Sequence, residues 1–303
     1  MVGNERILSQ EESSPKGARC PVNYSFDTGK SDTPEGLYRF DAVADFVVED
    51  FDSITDEHIE AYHALGYLVV EKAFPQSMVD DALAGLLALI NGERADFTGI
   101  QFEAWAKDRL DRITKEEKQD YVRKIAWFVN YDERLKAMSE YPPLIRTIER
   151  MLGDRPKLFQ DMALIKPPGG GREKPWHQDK AYFDIRLEDR VVGAWIALDE
   201  ATAENGCMHV IPCSHKEGAV VHFKRRDWQI CDTDVKVEQD VMVPLKPGGC
   251  LLFDGLIHHG TPPNYSNKRR RALQFHYAGE SAMKVSTAER LAIFGSEGKD
   301  VTC

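Results

Sequence analysis

The N-terminal half of the chain alternates helical and extended patterns of apolar residues. A first helix is expected from a cap at Ser53 or Thr55, with acidic residues in its first turn, to a stop at Gly66. The apolar run 67–70 that follows is typical of a buried strand. A second helix is expected from a cap at Ser77, because apolar residues then recur at helical spacing.

The next stretch mixes aromatic residues with many charges. Helices are expected within residues 92–141, although the spacing does not mark their ends. A clearer amphipathic helix is expected over residues 144–152, because Pro142 and Pro143 precede it and Gly153 follows it.

The pattern changes at residue 157, where short β-prone runs alternate with Gly/Pro-rich turns at 167–171 and 246–249. Many short strands with such turns favour a sandwich or barrel over a parallel sheet. The runs are 158–166, 191–198, 208–212, 241–245, 250–253 and 273–277. The predicted architecture is therefore a mainly β, α+β fold, with a helical N-terminal half packed against an antiparallel β core.

The domain organisation follows from this layout. Residues 1–37 are rich in Ser, Gly, Pro and charge, and are interpreted as a loose tail. Residues 38–303 are interpreted as one domain, with helical support over about 53–153 and the β core over about 157–280.

Composition and charge limit the possible partners. Of 303 residues, 42% are hydrophobic, which is enough for a sizeable core. The formal net charge of -11 argues against nucleic acid or an anionic membrane as a partner, because phosphate binding needs a basic face. The longest strongly apolar run, 83–90, is far shorter than the roughly 20 residues of a membrane span.

The terminal sequences and the cysteines predict an intracellular protein. The N-terminus lacks the apolar run of a secretory signal, the C-terminus lacks a peroxisomal signal, and a cytoplasmic location is expected. The six cysteines are scattered without a CxxC pair, so we interpret them as structural thiols.

The strongest chemical motif is the segment 175–179, PWHQD. In an extended chain, residues two apart face the same side, so His177 and Asp179 can converge on one centre. An imidazole and a carboxylate suit a divalent metal, and a third ligand would complete the facial triad of a non-haem iron oxygenase.

Several histidines are candidates for that third ligand. Adjacent strand residues face opposite sides, so only one of His258 and His259 can point inward, and alternation alone does not choose between them. The other candidates are His209, His215, His222 and His276.

A basic run, 268–271, lies between a turn and the last β-prone run. Such a run is usually solvated, but one arginine pointing inward would bind a dicarboxylic co-substrate through its guanidinium fork. Alternation places Arg269 and Arg271 on one side and Arg270 on the other, without indicating which side faces inward.

An ordered series of motifs extends these observations. In chain order they are KPP (166–168), PWHQD (175–179), AW (194–195), NGC (205–207), IPCSHK (211–216), PGG (247–249) and HGTPPNYS (259–266). Over about residues 53–278 the chain resembles the phytanoyl-CoA dioxygenase family. The resemblance implies a double-stranded β-helix (jelly-roll, cupin-like) core, iron(II), 2-oxoglutarate and O2, with ascorbate as a supporting reductant.

The family pattern also selects among the candidates. It has HxD, then a histidine followed by Gly and a hydroxyl residue, and an arginine eleven positions after that histidine. His259 precedes Gly260 and Thr261, and Arg270 lies eleven positions after it. The resemblance therefore implies His177, Asp179 and His259 as iron ligands and Arg270 as the 2-oxoglutarate anchor, with His258 at the pocket rim or pointing outward.

Other contacts carry over from the same resemblance. Met162, Trp195 and Thr261 match positions that line the 2-oxoglutarate site in the family, and Lys124 corresponds to a lysine that the family has in the helical half. Met162 and Trp195 would serve equally well in a core. His215, in the family's Pro-x-Ser-His motif, is expected to anchor a loop rather than bind metal.

The expected activity is hydroxylation, or another oxidation, of an unactivated C–H bond in a small organic molecule, with release of succinate and CO2. The resemblance implies a substrate that is an acyl-CoA, an amino-acid-like solute or a natural product. The residues 97–131, those after Asp179, and 223–239 are expected to form substrate-selecting lids. The alternatives are a cupin-type metal enzyme without 2-oxoglutarate and a non-catalytic metabolite-binding jelly-roll.

Overall fold

A computed structural model of the chain describes residues 25–29 and 32–295. Most of the segment interpreted as a loose tail lies outside the described residues, as do Cys20 and Cys303. The strands are β1 (Ser25–Phe26), β2 (Val47–Val48), β3 (Tyr67–Val70), β4 (Ile100–Phe102), β5 (Val122–Ala126), β6 (Pro156–Lys166), β7 (Lys174–His177), β8 (Val191–Ala197), β9 (Met208–Val210), β10 (His222–Lys224), β11 (Trp228–Ile230), β12 (Val241–Val243), β13 (Cys250–Asp254), β14 (His259–Thr261) and β15 (Arg270–Gly279). The helices are α1 (Asp56–Leu65), α2 (Gln76–Ile90), α3 (Lys115–Lys118), α4 (Glu133–Ser139), α5 (Pro142–Leu152) and α6 (Thr287–Phe294).

Two sheets face each other in the C-terminal part of the fold. The larger has nine strands in the order β1-β4-β5-β6-β15-β8-β13-β3-β2, and the smaller has four in the order β12-β9-β14-β7. Except for the parallel pairs β1·β4 and β2·β3, the neighbours in these two sheets are antiparallel. Strands β10 and β11 form a separate hairpin. This arrangement confirms the predicted antiparallel, jelly-roll architecture.

Apolar side chains fill both faces of the large sheet. On one face, helices α2, α4 and α5 bury a core that includes Leu86, Met138 and Ile148 against the strands. On the other face, a second core that includes Leu251 and Val210 joins the large sheet to the small one. The result is a layer of helices, a large sheet and a small sheet, so the space between the two sheets is the natural position for a site.

The helix predictions near the N-terminus are partly confirmed. Thr55, rather than Ser53, caps α1 through its side chain, and the helix ends at Gly66 with φ of 85°. The expected cap at Ser77 is wrong, because α2 begins at Gln76 after Pro75, which makes no side-chain cap. No helix in the described part of the chain is long and apolar enough to cross a membrane.

The segment 92–141 differs most from expectation. Besides α3 and α4, it forms strands β4 and β5, where helices were predicted. Strand β5 pairs with β6, and β4 with β5, so this segment extends the edge of the large sheet. Pairing with a neighbouring strand overrides the local preference for helix. This pairing is visible only in the folded structure.

Candidate metal centre

Three buried side chains converge between the sheets. His177, Asp179 and His259 each offer a ligand atom, and these atoms lie within 4.8 Å of one another. His177 Nε2 is 3.2 Å from Asp179 Oδ1, and His259 Nε2 is 3.5 Å from Asp179 Oδ2. Donor atoms that share one metal at adjacent positions of an octahedron are about 3 Å apart. The three predicted residues therefore form a group whose donor types and spacing suit one divalent metal ion.

Strand pairing brings the two histidines together. His177 ends β7, His259 begins β14, and the two residues are direct antiparallel partners. Asp179 does not continue the strand as expected but begins a short 3-10 turn. His177 and Asp179 still face the same side, because Gln178 between the two ligands is extended, with φ of -111° and ψ of 130°.

Each histidine is oriented by a backbone carbonyl. His177 Nδ1 lies 2.8 Å from Pro175 O and His259 Nδ1 lies 3.0 Å from Ile257 O. A carbonyl only accepts, so Nδ1 carries the hydrogen in both rings and Nε2 is free to bind metal. Burial, with His259 nearby, lowers the pKa of His177 to about 4, so the ring is neutral at physiological pH. Burial opposes ionisation of Asp179, but His259 and His276 hold its pKa well below its usual range.

Gln178 fixes the turn between the ligands. Its side-chain amide nitrogen donates to Gly218 O at 2.8 Å and Leu256 O at 2.7 Å, and its Oε1 accepts from Val220 N at 2.8 Å. Its backbone N–H donates to His222 Nε2 at 3.0 Å. The residue between the two ligands thus holds their loop to two neighbouring segments, residues 218–222 and the turn at Leu256. The HxD spacing did not indicate this role.

Two further side chains hold Asp179. Gln274 Nε2 lies 3.0 Å from its Oδ2, and His276 Nε2 lies 2.7 Å from the same oxygen. Both residues belong to β15, on the large sheet. The sequence indicated His276 only as a possible metal ligand, and it gave no role for Gln274. The alternating positions 270, 274 and 276 on one strand were the available signal.

The neighbouring histidines take other positions. His258 is buried and belongs neither to the group of three donors nor to the cavity wall, so the expectation of a rim or outward position is wrong; its ring has no hydrogen-bond partner among the described residues. His215 Nε2 lies 3.0 Å from His63 O, and Ser214 Oγ accepts from His258 N at 2.8 Å. The expectation that the Ser-His motif anchors a loop is confirmed.

The three arginines of the basic run separate as alternation requires. Arg269 pairs with Asp120 at 2.5 Å and Arg271 pairs with Asp199 at 2.7 Å, both away from the cavity. Arg270 is buried, and within the described residues it forms no salt bridge. Its guanidinium lies over the Trp195 ring, with Cζ 5.4 Å from the centroid, and its Nε has no partner among the described residues. Burial lowers the pKa of Arg270 to about 9.

A cavity of about 310 Å³ joins these groups. Its wall includes the metal group together with Arg270, Thr261, Met162 and Lys124. Trp195 is fully buried behind Arg270 instead of lining the cavity. Lys124, expected in the helical half, lies on strand β5. Apart from Trp195, the residues implied for 2-oxoglutarate therefore face one space.

All three segments expected to form lids reach this cavity. Gln101 and Arg123 come from the first segment, Tyr182 and Phe183 from the residues after Asp179, and Asp227 from the third. Lys174, beside the metal group, pairs with Asp227 at 3.0 Å and with the Tyr182 hydroxyl at 2.9 Å. The three segments therefore contribute polar and aromatic side chains to the cavity wall.

The cysteines are distant from this chemistry. Cys207, Cys231 and Cys250 are buried, Cys213 is exposed, and within the described residues none joins the metal group. Burial raises the pKa of the Cys207 thiol to about 12. This agrees with structural thiols for the buried three.

Comparison with known proteins gives a family match over most of the chain. The model of the family described as "Phytanoyl-CoA dioxygenase (PhyH)" matches residues 62–272. This range contains the whole metal group and Arg270, and it ends within the strand β15.

Individual relatives agree with this match. The chain is 28% identical over 195 residues to "Probable phytanoyl-CoA dioxygenase" of Caenorhabditis elegans, covering 58% of this chain and 62% of that protein. It is 29% identical over 264 residues to "Phytanoyl-CoA dioxygenase domain-containing protein 1" of Danio rerio, covering 74% and 90%. Among solved structures, the non-haem alpha-ketoglutarate-dependent carbocyclase SnoK from nogalamycin biosynthesis superposes with a TM-score of 0.62 at 19% identity, covering 84% of this chain and 95% of that one. This last similarity shows the shared fold.

Proposed function

Because the chain belongs to the phytanoyl-CoA dioxygenase family of Fe(II)- and 2-oxoglutarate-dependent oxygenases, we propose that it hydroxylates, or otherwise oxidises, an unactivated C–H bond of a small organic substrate. In this proposal His177, Asp179 and His259 hold the iron, and Arg270 binds the distal carboxylate of 2-oxoglutarate. Succinate and CO2 are the co-products.

The observation that carries the proposal is the presence, in one cavity, of a metal-type donor set and a buried guanidinium, that of Arg270, that has no counter-ion among the described residues. Its Nη1 donates only a long hydrogen bond to Leu164 O, at 3.4 Å, and its Nε has no partner there. The three donor side chains are buried and lie within 4.8 Å of one another. Arg270 is buried, with no carboxylate partner in the described part of the chain. A buried cation without a counter-ion is costly, so the site favours an anionic ligand. A dicarboxylate that reaches from the metal to Arg270 supplies one.

The surrounding residues prepare Arg270 for this role. Lys166 is its antiparallel partner on β6, but the Lys166 ammonium is satisfied by the carbonyls of Arg172 at 2.8 Å and Thr261 at 3.2 Å. Trp195 supports one face of the guanidinium. We place Thr261 and Met162 on the wall of the 2-oxoglutarate site, because both line the cavity.

Iron with 2-oxoglutarate supplies the activation of O2 and the oxidising power for C–H cleavage. The protein's part is to hold three ligands on one face, leave the opposite face open and exclude water from the cavity. Neutral histidines and an ionised Asp179 are the protonation states that metal binding requires. The pKa values of His177 and Asp179, both lowered, favour those states.

Polar side chains on the cavity wall indicate the class of substrate. Lys124 forms no ion pair through its ammonium within the described residues, and burial lowers its pKa. We assign Lys124 to the carboxylates of 2-oxoglutarate or of the substrate. Gln160, also on the wall, has a buried Oε1 without a partner among the described residues. An amide oxygen and an ammonium favour a compact polar substrate, amino-acid-like or a polar natural product, over a long acyl chain.

The direct test is iron-dependent succinate release from 2-oxoglutarate, measured across a panel of small polar acids, acyl-CoA thioesters and natural products. Wild-type protein is expected to release succinate only with iron, and faster with its substrate. Asp179→Ala is expected to lower this release at least about 100-fold, because it removes the anionic ligand. Asp184→Ala is the control, because Asp184 pairs with Arg290 on the surface at 2.8 Å. Substrate-coupled succinate release that persists in Asp179→Ala would refute the ligand assignment.

A further inference from the structure

We propose that Gln274 and His276 are positioning residues that hold Asp179 as a ligand through one oxygen only. Together they occupy Oδ2 and leave Oδ1 for the metal. This inference rests on the proposed function, because it assumes that Asp179 binds the iron.

The geometry places both donors on one oxygen. Gln274 Nε2 lies 3.0 Å and His276 Nε2 lies 2.7 Å from Asp179 Oδ2. All three residues are buried from bulk solvent, and Asp179 and Gln274 also line the cavity. Oδ1 receives neither of these contacts and lies 3.2 Å from His177 Nε2. The two oxygens of Asp179 therefore have different surroundings before any metal binds.

The position of the ring hydrogen of His276 supports its role as a donor to Asp179. An ionised carboxylate only accepts, so the contact at 2.7 Å requires the hydrogen of His276 on Nε2. The other ring nitrogen, Nδ1, has no partner among the described residues, so the ring is held there through Nε2. The 3.1 Å contact between Gln274 Nε2 and His276 Nε2 is then an approach of two donors that share one acceptor.

The strand and its surroundings keep the pair in place. Gln274 and His276 are two apart on β15, so both project toward Asp179 from the opposite sheet. Aromatic rings surround His276, with centroids at 4.8 Å for Phe183, 6.1 Å for Phe159 and 6.2 Å for Phe253. The ring therefore has little freedom to turn, and its donor stays aimed at Oδ2.

The consequence concerns the open positions of the metal. A carboxylate that binds through both oxygens takes an extra position, which the facial triad must leave for co-substrate and O2. With Oδ2 held by two donors, Asp179 occupies one position. His276 is not a fourth ligand in this scheme, because its Nε2 is engaged by the carboxylate and it lies outside the group of three donors.

The test measures metal affinity without 2-oxoglutarate, so that turnover plays no part. Gln274→Met keeps the side-chain length but has no donor, and His276→Phe keeps the ring without one. His276→Gln restores an N–H donor and serves as the rescue. Phe275→Leu is the matched control, because Phe275 lies between them on β15 but packs into the helix-side core. Co(II) is titrated anaerobically by its visible absorption, Fe(II) by competition, and the Tm of each metal-free variant is recorded.

We expect Gln274→Met and His276→Phe each to raise the Co(II) Kd about 10- to 100-fold and to change the shape of the Co(II) spectrum. His276→Gln should restore the Kd toward the wild-type value, with a loss clearly smaller than the roughly 10-fold or greater cost of removing an outer-shell partner. Phe275→Leu should lower Tm while keeping the wild-type Kd and spectrum.

The proposal is overturned if the folded Gln274→Met variant keeps the wild-type Kd and spectrum, or if Phe275→Leu weakens metal binding equally. If His276→Phe does not fold, Gln274→Met alone decides. A wild-type protein that binds neither Co(II) nor Fe(II) would instead refute the proposed function, which is a distinguishable result.

Discussion

His177 and His259 are direct partners on adjacent antiparallel strands, and their ring centroids are 4.1 Å apart. Each ring also contacts the carbonyl two residues before it, so hydrogen bonds to the backbone orient the two Nε2 atoms. The metal group is thus largely preorganised by the register of β7 and β14, and changes in its ligands should alter metal binding more than folding.

The neighbouring histidines provide a direct comparison. His259→Gln is expected to weaken Fe(II) or Co(II) binding at least about 100-fold, because it removes a ligand. His258→Gln should leave the metal Kd close to the wild-type value, because His258 is not among the three donors. Isothermal titration of the metal-free proteins measures both constants. Equal losses in the two variants would contradict the assignment of His259.

Arg270 has an internal control in the same basic run. Arg270→Gln is expected to raise the KM for 2-oxoglutarate about 10- to 100-fold, because a desolvated charge-assisted contact is lost. Arg269→Gln should leave the KM unchanged, since Arg269 is partly exposed and pairs with Asp120. Succinate release at varied 2-oxoglutarate concentration gives the values. An unchanged KM in Arg270→Gln would favour a metal enzyme that does not use 2-oxoglutarate.

Gly66 tests the contact between helix α1 and the Ser-His loop. It has φ of 85°, and a Cβ there would lie 2.5 Å from His215 Nδ1, whereas Gly153, with φ of 68°, has open space around it. Gly153→Ala should cost about 1 kcal/mol from backbone strain. Gly66→Ala should cost about 1–3 kcal/mol more, because it also clashes. Urea unfolding measures both, and equal losses would show that His215 moves aside freely.

His222 links stability to pH. It is buried, and its Nε2 accepts from Gln178 N. Burial lowers its pKa from 6.5 to about 3. The unfolded ring gains a proton near pH 6.5 while the folded ring stays neutral, so stability falls as pH drops below 6.5. Between pH 6.5 and 5 this amounts to about 2 kcal/mol. The destabilisation caused by His222→Gln should therefore be about 2 kcal/mol smaller at pH 5 than at pH 7 in urea unfolding. A pH-independent penalty would contradict a neutral, buried His222.

Capping residues and turn residues in the sequence predicted where helix α1 and the C-terminal strands begin and end. A capping threonine and a glycine in the left-handed region delimit α1, and Gly/Pro turns separate the C-terminal strands. Strand β5 was missed because it is extended through its pairing with β6, which lies more than thirty residues later in the chain. Spacing within residues 92–141 carries no trace of that partner.

The candidate site shows the same division. The HxD spacing indicated His177 and Asp179 as ligands. Strand alternation did not distinguish His258 from His259 as the third ligand, and the family pattern selected His259. The contacts of Gln274 and His276 with Asp179 depend on how the two sheets face each other. The role of Gln178 in fixing the turn between the ligands was not predicted either, because its acceptors Gly218 and Leu256 lie on loops distant in sequence. Such contacts require the assembled structure.

The division of the site between the two sheets has a cellular consequence. The histidine ligands belong to the small sheet and Arg270 to the large one, so iron with a bound dicarboxylate would connect the layers. Ligands that bind only the folded form stabilise it in proportion to the logarithm of their free concentration. We therefore expect the lifetime of this protein against proteases to follow the supply of iron and 2-oxoglutarate. Its abundance would then report on the supply of its metal and of its co-substrate.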